Sequence, residues 1–357
     1  MFGYQAGYSY SASGNSGVTL IGYQAGYGVT TGGGVTAVGS SSAKSTTSAV
    51  YVDAFGYTAL QSNTTGSYNV GIGSSALYNT TTASNNTALG YQAGYTNTTD
   101  GNNTFIGFQS GYNHNNTTGS TYDVYVGYKS GYSVTTGYAS VYIGAESGIS
   151  TTTGLFNTAT GRSTLYSNTT GSYNTVFGYY AGYGITTGNN NTYLGYSATQ
   201  SSSSVTGELV ICVGTTTGKG GSTGYINPAG GGVYQGNNST LWSVTSDQRL
   251  KKNIVDNTVG LSAITQIKVR NFEYRLPEEI TELDKSNAVN ITGVQLGTIA
   301  QELAEVLPDC VKTESTGVMS VDSSDVMWHM VNAIKELNTL VSQQATQIAA
   351  LQSKLGA

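Results

Sequence analysis

The chain has 357 residues, a formal net charge of −5 and 9% charged residues, and it contains 49 glycines and 28 tyrosines. A net negative chain lacks the basic face that nucleic-acid binding needs, and two cysteines cannot form a disulfide framework. No apolar run reaches the length of a membrane span, and the first residues have neither the basic nor the apolar region of a secretory signal. The sequence therefore predicts no nucleic-acid partner, no membrane insertion, and neither a cofactor nor a metal.

Twelve glycines recur from Gly3 to Gly195, and nine of their eleven spacings are seventeen positions long; the other two are nineteen and twenty. These landmark glycines are Gly3, Gly22, Gly39, Gly56, Gly73, Gly90, Gly107, Gly127, Gly144, Gly161, Gly178 and Gly195. A fixed short period indicates one supersecondary unit that stacks on its neighbours. The region is therefore expected to form an extended fibre.

Two positions of the repeat have a constant character. The residue before the glycine is apolar in eleven of twelve repeats, with Thr160 as the exception, and the residue three after it is always small. The pattern predicts one bulky and one small inward side chain per repeat. The bulky inward set includes Ile21, Phe55, Ile72, Ile106, Ile143 and Phe177.

The remaining repeat positions are rich in Thr, Asn, Gly and Ser, which favour turns, whereas Thr, Val, Ile and Tyr favour strands. A repeat this short leaves no room for a helix with two connections. Residues 1–198 are therefore predicted to be a mostly β region, a β-solenoid or β-roll of short strands and turns. The disordered alternative conflicts with an apolar position at fixed phase. Whether one chain or three complete each turn stays open.

Tyrosines recur within this pattern, as in Gly-Tyr-Gln-Ala-Gly-Tyr at residues 3–8, 22–27 and 90–95. One interpretation is a stacked aromatic ladder that stabilises the fibre. The other is a sugar-binding stripe, because tyrosine faces can stack on pyranose rings.

The charge pattern changes near residue 245. Nine charged residues precede that point, whereas the stretch 246–357 carries ten basic and fourteen acidic groups. Residues 199–245, rich in serine and glycine, are predicted to be a neck. Residues 246–326 are predicted to be a separate domain, and 327–357 a C-terminal coiled-coil helix.

The coiled coil is predicted from apolar residues that alternate at spacings of three and four, with Gln344 as one polar core position. The other seam positions are Met327, Met330, Ile334, Leu337, Val341, Ile348, Leu351 and Leu355. Their side-chain types alone favour two strands. The alternative is an amphipathic helix that packs on its own domain.

The segment Ser-Asp-Gln-Arg-Leu-Lys-Lys-Asn-Ile at residues 246–254 resembles the opening of the S74 peptidase family, the intramolecular chaperone domain of phage tail fibres and tailspikes. Residues 297–302, 306–309, 320–322 and 332–337 resemble later blocks of the family, in the same order. The resemblance implies that residues 246–326 are a small α+β chaperone domain. It also implies a homotrimer, in place of two strands, whose C-terminal domain helps three chains to fold and then cuts itself off through a Ser/Lys pair.

The matching residues imply that Ser246 is the nucleophile and Lys251 its base, with Lys252 in reserve and the cut at Thr245–Ser246. A lysine of lowered pKa can take the serine proton. Residues five apart point to opposite faces of a strand, so the pair can meet across a turn or between chains. Otherwise the segment is a capped turn with solvated basic residues.

Some family members carry a histidine before the Gly-x-Ile-Ala-Gln block, where this chain has Gln295 and Leu296. His329 is a poor substitute, so any supporting role falls to Glu302 or Gln301.

The function expected is that of a trimeric phage tail fibre that is structural and binds a host receptor. It would be made in the host cytoplasm and become extracellular in the virion, with other tail proteins and a host surface glycan or protein as partners. Self-cleavage would be a single turnover, without external substrates. The alternative is a trimeric bacterial surface adhesin-like fibre with an uncleaved trimerisation domain. Glycan hydrolysis usually requires paired carboxylates, and no pair is evident among Asp53, Asp100, Asp123 and Glu146.

Overall fold

The structure is a computed structural model that describes residues 1–11, 17–116, 119, 121–228, 232–236, 242–244, 246–289, 291–314 and 316–356. It contains two compact units, Met1–Asp247 and Gln248–Ala357. Across these described ranges, no helix is both long enough and apolar enough to cross a membrane.

The first unit is a β-solenoid, which confirms the predicted fold class. Each turn contributes one strand, and successive strands pair in parallel, so that each residue lies beside its equivalent in the next repeat, as Thr87 does beside Thr104. A single chain completes each turn. The first eleven strands are β1 (Thr19–Ile21), β2 (Val35–Val38), β3 (Val52–Phe55), β4 (Asn69–Ile72), β5 (Thr87–Leu89), β6 (Thr104–Ile106), β7 (Val124–Val126), β8 (Val141–Ile143), β9 (Thr158–Thr160), β10 (Thr175–Phe177) and β11 (Thr192–Leu194).

The segment predicted as a neck, 199–245, carries further strands. The parallel sheet continues from β11 to β13 and then β15, and β16 and β17 add to it in antiparallel order. Short strands β12 and β14 pair beside it. The bounds are β12 (Ala198–Thr199), β13 (Leu209–Cys212), β14 (Thr216–Thr217), β15 (Gly224–Asn227), β16 (Val233–Gln235) and β17 (Trp242–Val244).

Each landmark glycine forms the corner that follows a strand. Its φ lies between +124° and +138°, a region that L side chains rarely adopt. A Cβ at Gly90 would collide with the carbonyl oxygen of Gly107, one turn on, and the same relation repeats along the solenoid. The period therefore records a close backbone contact that only glycine permits.

The predicted phase of the bulky inward residue is wrong by one position. From Gly22 onward, the buried position is the second residue before each landmark glycine, as at Leu20, Phe105 and Val176. The residue directly before the glycine points outward. In β1–β11 seven of these residues are 39–47% exposed, as Ile72 (39%) and Phe177 (43%) show, and the other four are partly exposed. We call these outward residues the outer apolar ladder: Ile21, Val38, Phe55, Ile72, Leu89, Ile106, Val126, Ile143, Thr160, Phe177 and Leu194.

The inward position varies in size because a second position compensates for it. Where the strand buries a ring, as at Tyr125 or Tyr142, the loop six residues further on has a glycine, Gly131 or Gly148. A Cβ at that glycine would collide with the ring. Where the strand has Gly71, the space is taken by Leu60. The predicted small inward position is confirmed: from Ala25 onward it is fully buried in every turn.

Buried amide side chains also connect successive turns. The Oδ1 of Asn157 accepts a hydrogen bond from the backbone N–H of Asn174 (2.9 Å), and Asn174 does the same for Asn191 (3.1 Å). We call this series the inner amide ladder: Asn69, Asn86, Asn103, Asp123, Ser140, Asn157, Asn174, Asn191 and Glu208. It satisfies polar groups that the thin core would otherwise leave without partners.

The predicted aromatic ladder is confirmed. Tyr78, Tyr95, Tyr112 and Tyr132 stack in one column, with ring centroids 5.1–5.2 Å apart. Stacked rings cover each other's faces, so the interior of such a column presents ring edges to solvent. Aromatic stacking therefore joins turn to turn on the surface.

The second unit is small and has little buried core. Its α-helices are α1 (Leu261–Ile264), α2 (Ala300–Ala304) and α3 (Ser323–Leu355). Its strands form two antiparallel pairs, β18 (Arg270–Phe272) with β19 (Gln295–Gly297) and β20 (Val311–Thr313) with β21 (Met319–Val321). Among the residues described there, the buried apolar side chains are Leu303, Leu307, Cys310 and Ala333. The predicted C-terminal helix is confirmed in α3, whose first turn is capped by Asp322.

Replacement of Gly90 by alanine should destabilise the solenoid by more than about 1 kcal/mol, because the left-handed backbone and the collision with Gly107 add together. The matched control is Gly214→Ala, since a Cβ at Gly214 meets nothing within 4 Å. Thermal unfolding followed by circular dichroism measures both. Equal melting temperatures for the two variants would contradict the corner assignment.

Candidate functional site

The predicted nucleophile, Ser246, is exposed near the end of the first unit. Thr245, which supplies the predicted scissile carbonyl, lies outside the described residues. The assignment of the cut to Thr245–Ser246 therefore stays a prediction.

The predicted base, Lys251, belongs to the second unit and is also exposed. It follows a single 3₁₀ turn, Gln248–Leu250, and its backbone N–H donates to the carbonyl oxygen of Gln248 (3.1 Å). The reserve candidate, Lys252, is exposed as well. A single 3₁₀ turn therefore lies just before both lysines.

The predicted supporting residue Glu302 lies on α2 and is held by two cations. Arg270 on β18 donates to both of its carboxylate oxygens, from Nε (3.1 Å) and Nη2 (2.7 Å), and Lys268 Nζ lies 3.6 Å away. The hydrogen bonds from Arg270 lower the pKa of Glu302, so it remains an anion. This arrangement fastens α2 to β18. Gln301 is exposed on the same helix, and a part in cleavage for either residue stays a prediction.

Helix α3 holds the chain that follows the lysines, a role that the sequence did not reveal. Asn332 Nδ2 donates to the carbonyl oxygen of Asn257 (2.8 Å), and Glu336 Oε2 accepts from the backbone N–H of Leu261 (2.8 Å). His329 Nδ1 lies 3.1 Å from the carbonyl oxygen of Val259. The sequence indicated only part of this contact: positions 332 and 336 are four apart, so their polar side chains lie on one face of the predicted helix.

One family model matches the chain in this region. Residues 246–312 match the model of the Peptidase S74 family, described as chaperone of endosialidase. The match begins at Ser246 and includes the blocks at 297–302 and 306–309. Together with the β-solenoid, it fits a tail fibre or tailspike with a C-terminal S74 domain. The blocks at 320–322 and 332–337 lie beyond the matched residues.

The solenoid contains a buried cluster that the sequence analysis missed. His114 is fully buried between two carboxylates: its Nε2 lies 2.9 Å from Asp123 Oδ2, and its Nδ1 lies 3.9 Å from Asp100 Oδ2. The ring of Tyr125 packs edge-on against the imidazole. The three polar residues lie nine or more positions apart, and only the stacking of turns brings them together.

The two carboxylates of this cluster do not support the hypothesis of glycan hydrolysis. Asp100, His114 and Asp123 are all 0% exposed, so an external sugar cannot reach either carboxylate. Asp123 also belongs to the inner amide ladder, where its Oδ1 accepts from the backbone N–H of Ser140 (2.8 Å). Within the described part of the chain, no group of His, Cys, Asp and Glu could hold a metal ion. The cluster therefore belongs to the packing of the solenoid.

Burial raises the pKa of Asp100, and the nearby His114 only partly opposes this effect. A carboxyl whose pKa is raised by folding contributes stability below its unfolded pKa, and this contribution is lost as pH rises through the folded pKa. The Asp100→Asn variant should therefore melt at a higher temperature than the parent at pH 8, and the difference should shrink towards pH 4. Thermal unfolding across this range measures it.

The matched control for this prediction is Glu146→Gln. Glu146 is partly exposed and accepts a hydrogen bond from Ser163, which an amide oxygen also accepts. Its melting temperature should follow the parent at every pH. A parent-like profile for Asp100→Asn would show that the buried carboxyl is fully compensated.

Proposed function

We propose that this protein is a homotrimeric phage tail fibre, in which the solenoid is the fibre and the C-terminal unit is the chaperone that assembles it. The observation that carries this proposal is the exposed seam of α3. Each apolar seam residue from Met327 to Leu355 is between 47% and 86% exposed in the single chain. A helix of 33 residues whose seam is apolar except at Gln344 is stable in water when other helices cover that seam.

The second unit as a whole supports the same conclusion. Its large apolar residues are exposed outside the helix as well, among them Val255, Val269 and Leu296. A small domain with four buried apolar residues has too little core to be stable alone. Sister chains would supply the missing contacts, and three is the number that the S74 match favours.

In the proposed cleavage, Ser246 Oγ attacks the carbonyl carbon of Thr245, and Lys251 takes the hydroxyl proton. The peptide C–N bond breaks as an ester forms, and the proton passes to the new amine of Ser246. Water then hydrolyses the ester, which leaves a carboxylate on Thr245 and restores the serine hydroxyl. The turn at Gln248–Leu250 supports the requirement that the chain reverse between the two residues.

The proposed fibre would be made in the host cytoplasm and carried by the virion outside the cell. Its virion contacts would be other tail proteins, and the solenoid would meet the host surface. The repeating turns support the role of a fibre, because each added turn packs on its neighbour in the same way and lengthens the solenoid.

The trimer is tested by charging the seam. Ile334→Asp with Leu337→Asp would bury two carboxylates per chain in the assembled seam, so the trimer should dissociate. Thr339→Asp is the control, since Thr339 lies on the opposite face of α3. Sedimentation velocity of the full chain gives the oligomeric state. A trimer that withstands the double substitution would mean that the seam is not the contact.

Cleavage is tested by mass spectrometry of the expressed chain. The parent should give two fragments, one spanning 1–245 and the other spanning 246–357 and beginning at Ser246. Ser246→Ala removes the nucleophile and Lys251→Ala the base, so both should remain whole while still forming trimers. Lys252→Ala is the control and should be cut.

Processing that continues in Ser246→Ala would refute the mechanism. A parent chain that assembles but stays whole would instead favour the adhesin-like fibre with an uncleaved trimerisation domain.

A further inference from the structure

The outer face of the solenoid sheet is unlike the rest of its surface. Its centre is the outer apolar ladder, in which ten of eleven positions are aliphatic or aromatic. The flanking outward position, two residues earlier, is threonine or valine in ten of the eleven strands. Asp53 is the one charged residue at these two outward positions of β1–β11.

A position about half a turn away along the chain has the opposite character. The ninth residue after each landmark glycine from Gly22 to Gly178 is threonine, serine or asparagine, as at Thr65 and Thr153. We call this series the polar threonine ladder. Residues of both ladders stack on their equivalents in the next turn. Stacking therefore does not by itself explain why one ladder is apolar and the other is polar.

We infer that the outer apolar ladder is the surface on which copies of this chain pack against each other along the fibre. This inference rests on the proposed trimer and assigns its contact within the solenoid. Three parallel chains would place their sheet faces towards a common axis. The polar threonine ladders would then remain in water.

The available area supports a second copy as the occupant. Seven ladder side chains are 39–47% exposed. At on the order of 70 Å² each they offer roughly 500 Å² per chain, to which the partly exposed Val38, Ile106 and Val126 add a smaller share. A specific protein interface uses about 800 Å² per partner, with an apolar core that is poor in charge. The threonine and valine methyl groups beside the ladder would bring the contact to that size.

The shape of the face also suits a copy of itself. The ladder repeats at the strand spacing of about 4.8 Å, and a parallel sister chain repeats at the same spacing. Side chains of equal height can therefore meet in every turn. A partner without this period would match the face in only a few turns.

The test is site-specific cross-linking of the full chain with a three-armed maleimide. Ile72→Cys places a thiol on the outer apolar ladder, and Thr65→Cys places one on the polar threonine ladder in the same turn. Both native cysteines, Cys212 and Cys310, are buried, so the parent serves as the unreacted control. Ile72→Cys should give covalent trimers in high yield, and Thr65→Cys should give none.

Leu89→Cys, one turn further on, repeats the measurement in case Ile72→Cys folds poorly. Trimers by sedimentation that link through Thr65→Cys, or through neither ladder, would overturn this interface and leave the proposed trimer intact. A monomer by sedimentation would overturn both proposals. A dimer linked through Ile72→Cys would keep the face and overturn the threefold assembly.

Discussion

The contact of one glycine corner with the next is the constraint on which the rest of the solenoid depends. At each corner the backbone lies against the carbonyl of the following turn, in a conformation that side chains rarely adopt. This contact fixes the height of a turn and so sets the register of the strands, the inner amide ladder and the aromatic columns. A side chain at one corner would disturb all three at once.

A structure with this regularity can stack almost without limit, but a regular interface cannot define its own register. If sister chains meet along the outer apolar ladder, a slip of one turn would present nearly the same side chains. Thr160 and the two longer spacings break the repetition only locally. A separate unit that aligns the chains at one end would solve this problem. Helix α3 is long enough for this, and the polar Gln344 in its apolar seam would favour one register.

In the proposed trimer, α3 would take part both in assembly and in holding the chain that follows the proposed cleavage site. Asn332 and Glu336 bind the backbone at 257–261, a few residues after Lys251, and the apolar seam occupies other positions of the same helix. If the seam closes only in the trimer, the chain near the proposed cleavage site becomes fixed as the trimer forms. Assembly and processing would then be coupled through one helix.

The sequence by itself determined the period, the small inward position and the C-terminal helix, because each is visible in the spacing of residue types along the chain. It also contained the S74 blocks, starting at Ser246. It did not determine which side of the strand faces the core, since the two faces differ by one residue and the exposed one is the more uniformly apolar. The buried position varies from Gly71 to Tyr142 because a residue elsewhere in the turn fills or vacates the space. Only the tertiary structure shows this compensation, and only the stacking of turns places His114 between Asp100 and Asp123.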